Sequence, residues 1–257
     1  MKAFKSQIVT AAFALAGTFV VSTSQAAPTL PSVVITHGAF ADGSDWAKVV
    51  PYLQAKGVAV TVVQNPLTSL ADDVAATQRA LKNQPGKVVL VGHSWGGTVI
   101  SEAGNQDNVS ALVYVAAFAP DVGQTSGEQG KGSPTPPGLS QIKADGSGFL
   151  YLTPQGMATD FAQDLRPEQT AVMTATQGPI KASAFDDKTT VAAWKTKPSW
   201  YVLATNDRMI HPDVQRAAAK RIGATLTELR TSHVPQQSQP AEVAQVILKA
   251  VQSVAQQ

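Results

Sequence analysis

Residues 88–99 read VVLVGHSWGGTV, and this stretch constrains the chain more than any other. An apolar run from Lys87 to Val91 reads as a strand and stops at Gly92. Ser94 stands between Gly92 and Gly96, with Gly97 behind it, and Trp95 to Asn105 reads as a helix. Strand, sharp turn and helix around G-x-S-x-G is a setting that holds a serine in strained backbone angles. The flanking glycines let neighbouring backbone approach closely enough to hold it there. A hydroxyl lifted clear of the sheet in this way attacks a carbonyl carbon when a base is at hand.

The rest of the chain supplies a matching rhythm. Ser32 to Thr36 predicts a first strand, ended by His37 and Gly38, and Ser44 to Ala55 predicts a helix with Trp46, Val49, Val50 and Leu53 on one face. Val58 to Val63 is a second strand; Leu70 to Asn83 is a helix stopped by Pro85 and Gly86. Val109 to Ala117 is a fourth strand, Ser199 to Ala204 a fifth and Thr225 to Leu229 a sixth, with helices from Pro212 to Ile222 and Ala241 to Val254. Strands alternating with helices of this length predict an α/β fold, a mainly parallel sheet covered on both faces. The rhythm breaks over residues 121–198, where Gly, Ser, Pro, Thr and Gln dominate as far as Gly148 and helix-like patches follow at Gln155 to Leu165 and Pro167 to Thr174. This segment is read as an insertion over the C-terminal edge of the sheet, because residues 28–120 and 199–257 are each too small for a separate sheet.

Residues 1–27 form a different kind of object. Lys2 and Lys5 precede an apolar stretch from Ile8 to Val21, and Ser24 to Ala27 supplies small residues, the layout of a cleaved secretory signal peptide. The stretch is interrupted by Thr10, Gly17 and Thr18, which favours cleavage over a lasting membrane anchor. The expected location is periplasmic or secreted. Cleavage removes two lysines and no acid, leaving 18 basic against 18 acidic residues. With no basic stripe, nucleic acid is not an expected partner. The chain has no cysteine, which excludes disulfides, thiolate nucleophiles and thiolate metal sites.

In open parallel sheets ligands bind beyond the C-terminal strand ends, where His37 to Ala39, Ser94, Asp207 and His233 all fall. Ser94 needs a base, and the chain has four histidines. His93 adjoins Ser94 and points to the opposite face, so it is expected beneath the turn. His37 is expected to shape its loop, and His211, before Pro212, to cap a helix. His233 follows the last strand and is the candidate base. Asp207, after the fifth strand, is the candidate orienting carboxylate; Asp121 is its rival, and Asp186, Asp187 and Asp213 read as surface or helix-start charges. The backbone N–H groups of Trp95 and Ala39 are the candidate donors for an oxyanion. Phe40, Trp95 and Phe118 are placed near the mouth of the site. Phe40 and Phe118 are the candidate substrate-binding residues, and Phe149, Met157, Phe161 and Trp194 contribute either to an apolar pocket or to packing of the insertion.

Residues 37–46 (HGAFADGSDW), 92–97 (GHSWGG), 205–208 (TNDR) and 232–240 (SHVPQQSQP) together resemble the α/β-hydrolase superfamily. More narrowly, they resemble its branch of plant methylesterases, hydroxynitrile lyases and bacterial esterases. The resemblance implies a six-stranded sheet and a cap built from the insertion. The leading reading of Ser94, His233 and Asp207 is a secreted serine hydrolase that cleaves small-molecule carboxylic esters through an acyl-enzyme, with no metal or cofactor needed. The lyases of that branch carry a threonine after the first-strand histidine and a lysine after the catalytic histidine. This chain has Gly38 and Val234 there, which favours hydrolysis over carbon–carbon lysis. A non-catalytic binding protein on the same fold is the third reading.

Overall fold

A computed structural model describes residues 30–256 of the chain. The signal peptide expected over residues 1–27 lies outside the described residues. Among those described, no helix is long and apolar enough to cross a membrane.

In chain order, β1 (Ser32–Thr36) leads through a 3-10 turn (Gly43–Trp46) and α1 (Val50–Gln54) to β2 (Val60–Val63) and α2 (Leu70–Lys82). β3 (Val88–His93), α3 (Gly96–Ala103) and β4 (Val109–Val115) follow. Then come β5 (Ile142–Ala144), β6 (Phe149–Leu152), α4 (Pro154–Gly156), α5 (Pro167–Thr176) and β7 (Ile180–Lys181). The chain closes with β8 (Ser199–Ala204), α6 (Pro212–Arg221), β9 (Thr225–Leu229), α7 (Pro235–Ser238) and α8 (Pro240–Ala255). Six strands form one sheet in the order β2-β1-β3-β4-β8-β9, and every pairing in it is parallel.

Alternation along each strand divides the apolar residues between two cores. Val89 and Val91 of β3 face α1 and α8, packing with Leu53, Val243, Ile247 and Val251. Val88 and Leu90 face the opposite layer, with Leu81 of α2, Ile100 of α3 and Ala218 of α6. Burial on both faces explains why the central strands read as continuous apolar runs rather than as alternating ones.

Local differences from the sequence reading have identifiable causes. The single helix expected over Ser44 to Ala55 is split into a 3-10 turn and a short α1, because Pro51 has no N–H to continue a helix and instead sits in the first turn of α1. The second strand starts two residues later than Val58. In the segment between β4 and β8, strands β5, β6 and β7 form a small antiparallel sheet that composition did not suggest. The helix-like patch at Gln155 to Leu165 is α4 running into a π-helical turn, Met157–Phe161. Its widened register is closed by a hydrogen bond from Ala162 N to Met157 O at 3.0 Å.

Candidate active site

β3 ends in the serine turn, and Ser94 takes a left-handed backbone conformation, φ 52°. Glycine is required around it by close approach. A Cβ on Gly92 would lie 2.4 Å from the carbonyl oxygen of Gly96, and one on Gly97 would lie 2.1 Å from that of Phe118. The turn is also tied to the next strand: Ser94 N–H donates to Val115 O at 3.1 Å, and Phe118 N–H donates to Ser94 O at 3.2 Å. The strain at Ser94 is thus held by backbone contacts on both sides.

The loop after β9 carries His233 over the sheet to Ser94. Its Nε2 lies 2.8 Å from Ser94 Oγ, and its Nδ1 lies 2.6 Å from Asp207 Oδ2. A carboxylate only accepts, so Nδ1 carries the proton and donates it to Asp207; the neutral ring then offers Nε2 as the acceptor for the Ser94 hydroxyl. The His233 side chain is 1% exposed and that of Asp207 fully buried. Asp207 is itself fully engaged. Its Oδ1 accepts from Met209 N at 2.7 Å and Ile210 N at 2.9 Å. Its Oδ2 also accepts from Gln215 Nε2 at 2.7 Å.

The other histidines take the structural places expected of them. His93 is buried beneath the turn, and its Nε2–H donates to the carbonyl of His233 at 2.8 Å. Burial, with His233 close by, holds His93 well below the ordinary histidine range, so it stays neutral. His37 accepts from Asn65 N at Nε2 (2.9 Å) and donates from Nδ1 to Gly38 O (2.9 Å). Burial lowers its pKa too, and the ring works as a fixed brace for the loop carrying Ala39. His211 accepts from Asp213 N at 3.2 Å and caps α6. Asp121, the rival carboxylate, forms an ion pair with Lys195 away from His233. Asp187 accepts from Leu70 N at 2.9 Å at the start of α2, and Asp213 pairs with Arg216.

Ala39, Phe40, Ser94, Phe118, Phe161 and His233 line a small chamber of about 50 Å³. Among the described residues, neither Ala39 N–H nor Trp95 N–H donates to a backbone acceptor. The Trp95 side chain is not at the mouth where the sequence placed it: it is fully buried, and its Nε1–H donates to Asp73 Oδ2 at 2.7 Å. A turn that points the serine outward sends the next side chain inward. Burial raises the Asp73 pKa to about 6 despite that bond. Phe161 does reach the site, with its ring edge-on to His233 at 5.0 Å. Met157 is buried in the core, Phe149 lies under Lys181, and Trp194 donates to Pro120 O.

Beyond the chamber is an annex of about 240 Å³ with a largely apolar lining. The two share Phe118, Leu139, Ile142, Phe185, Met209 and Ile210 as a common wall. Most of that wall escaped the sequence reading, because Leu139 and Ile142 sit in a Gly- and Pro-rich stretch without periodicity. Gln215 was also missed: a single glutamine in a polar helix carries no signal until its carboxylate partner is in place. No group of three or more metal-ligating side chains occurs among the described residues.

Comparisons with known proteins agree with this architecture. Residues 33–246 match the alpha/beta hydrolase family. The chain is 26% identical over 253 residues to a pyrethroid hydrolase of Sphingobium wenxiniae, covering 85% of this chain and 87% of that one. It is 27% identical over 247 residues to methylesterase 2 of Arabidopsis thaliana, covering 80% and 90%. The crystal structure of a pyrethroid hydrolase from Sphingobium faniae superposes with a TM-score of 0.75 at 22% identity, over 89% of this chain and all of that one. With a matched segment that runs from β1 into α8 and takes in every strand of the six-stranded sheet but the first residue, the chain belongs to the alpha/beta hydrolase family.

Proposed function

We propose that the protein is a serine hydrolase that cleaves carboxylic esters through an acyl-enzyme. One observation carries this reading: an unbroken buried chain from Ser94 Oγ to His233 Nε2 at 2.8 Å, and from His233 Nδ1 to Asp207 at 2.6 Å. As the Ser94 oxygen bonds to the ester carbonyl carbon, its proton passes to His233 Nε2. Asp207 stabilises the imidazolium. The carbonyl electrons move onto the oxygen, which the N–H groups of Ala39 and Trp95 receive. When the tetrahedral adduct collapses, the carbon–oxygen bond to the alcohol breaks and His233 returns the proton to the alcohol. Water repeats the sequence on the acyl-enzyme and frees Ser94.

The chamber and annex favour an uncharged ester with an apolar group, since Phe118, Phe185, Leu139 and Ile142 offer nothing to solvate a charge. The segment over the site serves as its cap, and the N-terminal leader directs the mature enzyme out of the cytoplasm. Relatives named as a methylesterase and a pyrethroid hydrolase support ester chemistry.

The test is hydrolysis of p-nitrophenyl esters and labelling by a fluorophosphonate. Ser94→Ala is expected to lose both while melting as the parent does. Undiminished hydrolysis in that variant removes Ser94 from the mechanism. An N-terminus at Met1 in extracytoplasmic protein refutes leader cleavage.

A further inference from the structure

Residues 160–164, at and just past the end of the π-helical turn, bond to the chain on either side of Asp207 and of His233. Asp207 is flanked first. Gln163 Nε2 donates to the carbonyl of Asn206 at 2.8 Å. Asp160 Oδ1 accepts from Arg208 Nε at 2.6 Å, with the Asp160 side chain 5% exposed. His233 is flanked next. Asp164 Oδ2 accepts from the backbone N–H of Ser232 at 2.8 Å, and its Oδ1 accepts from Ser238 Oγ at 2.8 Å. Between these four bonds, Phe161 packs edge-on against the His233 ring at 5.0 Å.

The loops after β8 and β9 are long-range partners in the chain, and backbone bonds from Thr205 N to Leu229 O at 2.9 Å and from Asn206 N to Thr231 O at 3.1 Å join them at their starts, short of Asp207 and His233. The side chains of Asp207 and His233 project beyond the last β8–β9 pair, Ala204 with Leu229. The five-residue segment 160–164 bonds to residues 206 and 208 on the first loop and to Ser232 of the second loop and Ser238 at the end of α7, and so bridges the two from outside the sheet. The π-helical turn, Met157–Phe161, supplies Asp160 and Phe161 to this segment, and Gln163 and Asp164 follow just past its end.

We propose that this segment, residues 160–164, is the positioning element for the His233–Asp207 pair, and that Asp164 is its principal positioning residue for His233. The inference rests on the serine-hydrolase reading for its kinetic consequence. Its geometric consequence, the order of the His233 loop, stands apart from that reading. Without the Asp164 carboxylate, the backbone N–H of Ser232 loses its acceptor and the His233 loop gains freedom; the catalytic base then spends less time within reach of Ser94. Misplacement on the scale of an ångström costs up to about a hundredfold in rate. Substrate binding, which uses the chamber and annex, is left in place.

The experiment compares Asp164→Ala with Asp164→Asn, which keeps an acceptor for Ser232 N–H. In Asp164→Ala, kcat is expected to fall about tenfold or more with KM within about twofold, and Asp164→Asn is expected to recover most of the loss. Independently, the low-field proton resonance of His233 Nδ1–H, shared with Asp207, is expected to broaden through solvent exchange in Asp164→Ala and to stay sharp in Asp164→Asn. A sharp, unmoved resonance together with parental kcat in Asp164→Ala overturns the proposal. Equal losses in both variants also overturn it, since the retained acceptor would then be of no consequence. A parent enzyme inert toward esters refutes the hydrolase reading alone and leaves the resonance to decide this one.

Discussion

Gly38 and Ser94 meet so closely that a Cβ on the glycine would lie 2.8 Å from Ser94 Cβ and 3.1 Å from His93 Nδ1. Neither neighbour has room to yield. Ser94 is held at φ 52°, and His93 is bonded to the carbonyl of His233. Gly38→Thr, which installs the residue that hydroxynitrile lyases carry there, overpacks the site at a cost of about 1–3 kcal/mol and pushes Ser94 off His233. If that cost falls on the transition state, ester hydrolysis is expected to drop by about 5- to 150-fold. No cyanide is expected from mandelonitrile. Val234, where the lyases carry lysine, is fully buried and offers a charge no solvent. Measurable cyanide release by Gly38→Thr would refute the steric argument.

Asp207→Asn tests the tautomer. The asparagine amide replaces an oxygen that now receives both His233 Nδ1–H and Gln215 Nε2–H. Whichever way the amide turns, one donor faces another or the imidazole must move its proton to Nε2, where it no longer accepts from Ser94. The same exchange in a serine protease lowers kcat about 10⁴-fold, and a loss of about that order is expected here in steady-state ester hydrolysis. A loss under about tenfold would place the orienting role elsewhere.

The serine turn and the meeting of Ser94, His233 and Asp207 were legible because each rests on local chemistry: glycines where backbone crowds, and candidate site residues just past apolar runs. β1, β8 and β9 were legible to the residue for the same reason. Pro51 shows the limit of periodicity, since Trp46, Val49 and Leu53 keep a helical spacing and are buried although the helix is broken between them. The hydrogen bonds of Asp160, Gln163 and Asp164 to the chain around Asp207 and His233 span up to 74 positions of sequence. Nothing local marks those residues among the many polar ones of the insertion.

Leu150 of β6 lines the annex and not the chamber. Leu150→Trp fills part of the annex without touching Ser94 or its partners. One or a few methylenes in an apolar pocket are worth roughly 10–200-fold in discrimination. In a p-nitrophenyl ester series, kcat/KM is expected to drop by at least that lower bound for octanoate and to change less than about twofold for acetate. Equal losses on both would show that the annex does not receive the acyl chain.

Asp45 gives a prediction about stability rather than rate. It is 3% exposed, its Oδ2 has no hydrogen-bond partner among the described residues, and burial, with Asp42 nearby, raises its pKa from 3.8 to about 7. The native state therefore keeps a proton that the unfolded chain releases above about pH 4. Stability is greatest below the unfolded pKa, falls as pH rises through about 7, and is flat beyond. The full change is on the order of 4 kcal/mol, taken from the rise in pKa. Asp45→Asn mimics the protonated form, so it is expected to match the parent near pH 4 and to exceed it in urea unfolding near pH 8. A parent and variant separated by the same amount at both pH values would mean that Asp45 is ionised throughout in the folded protein.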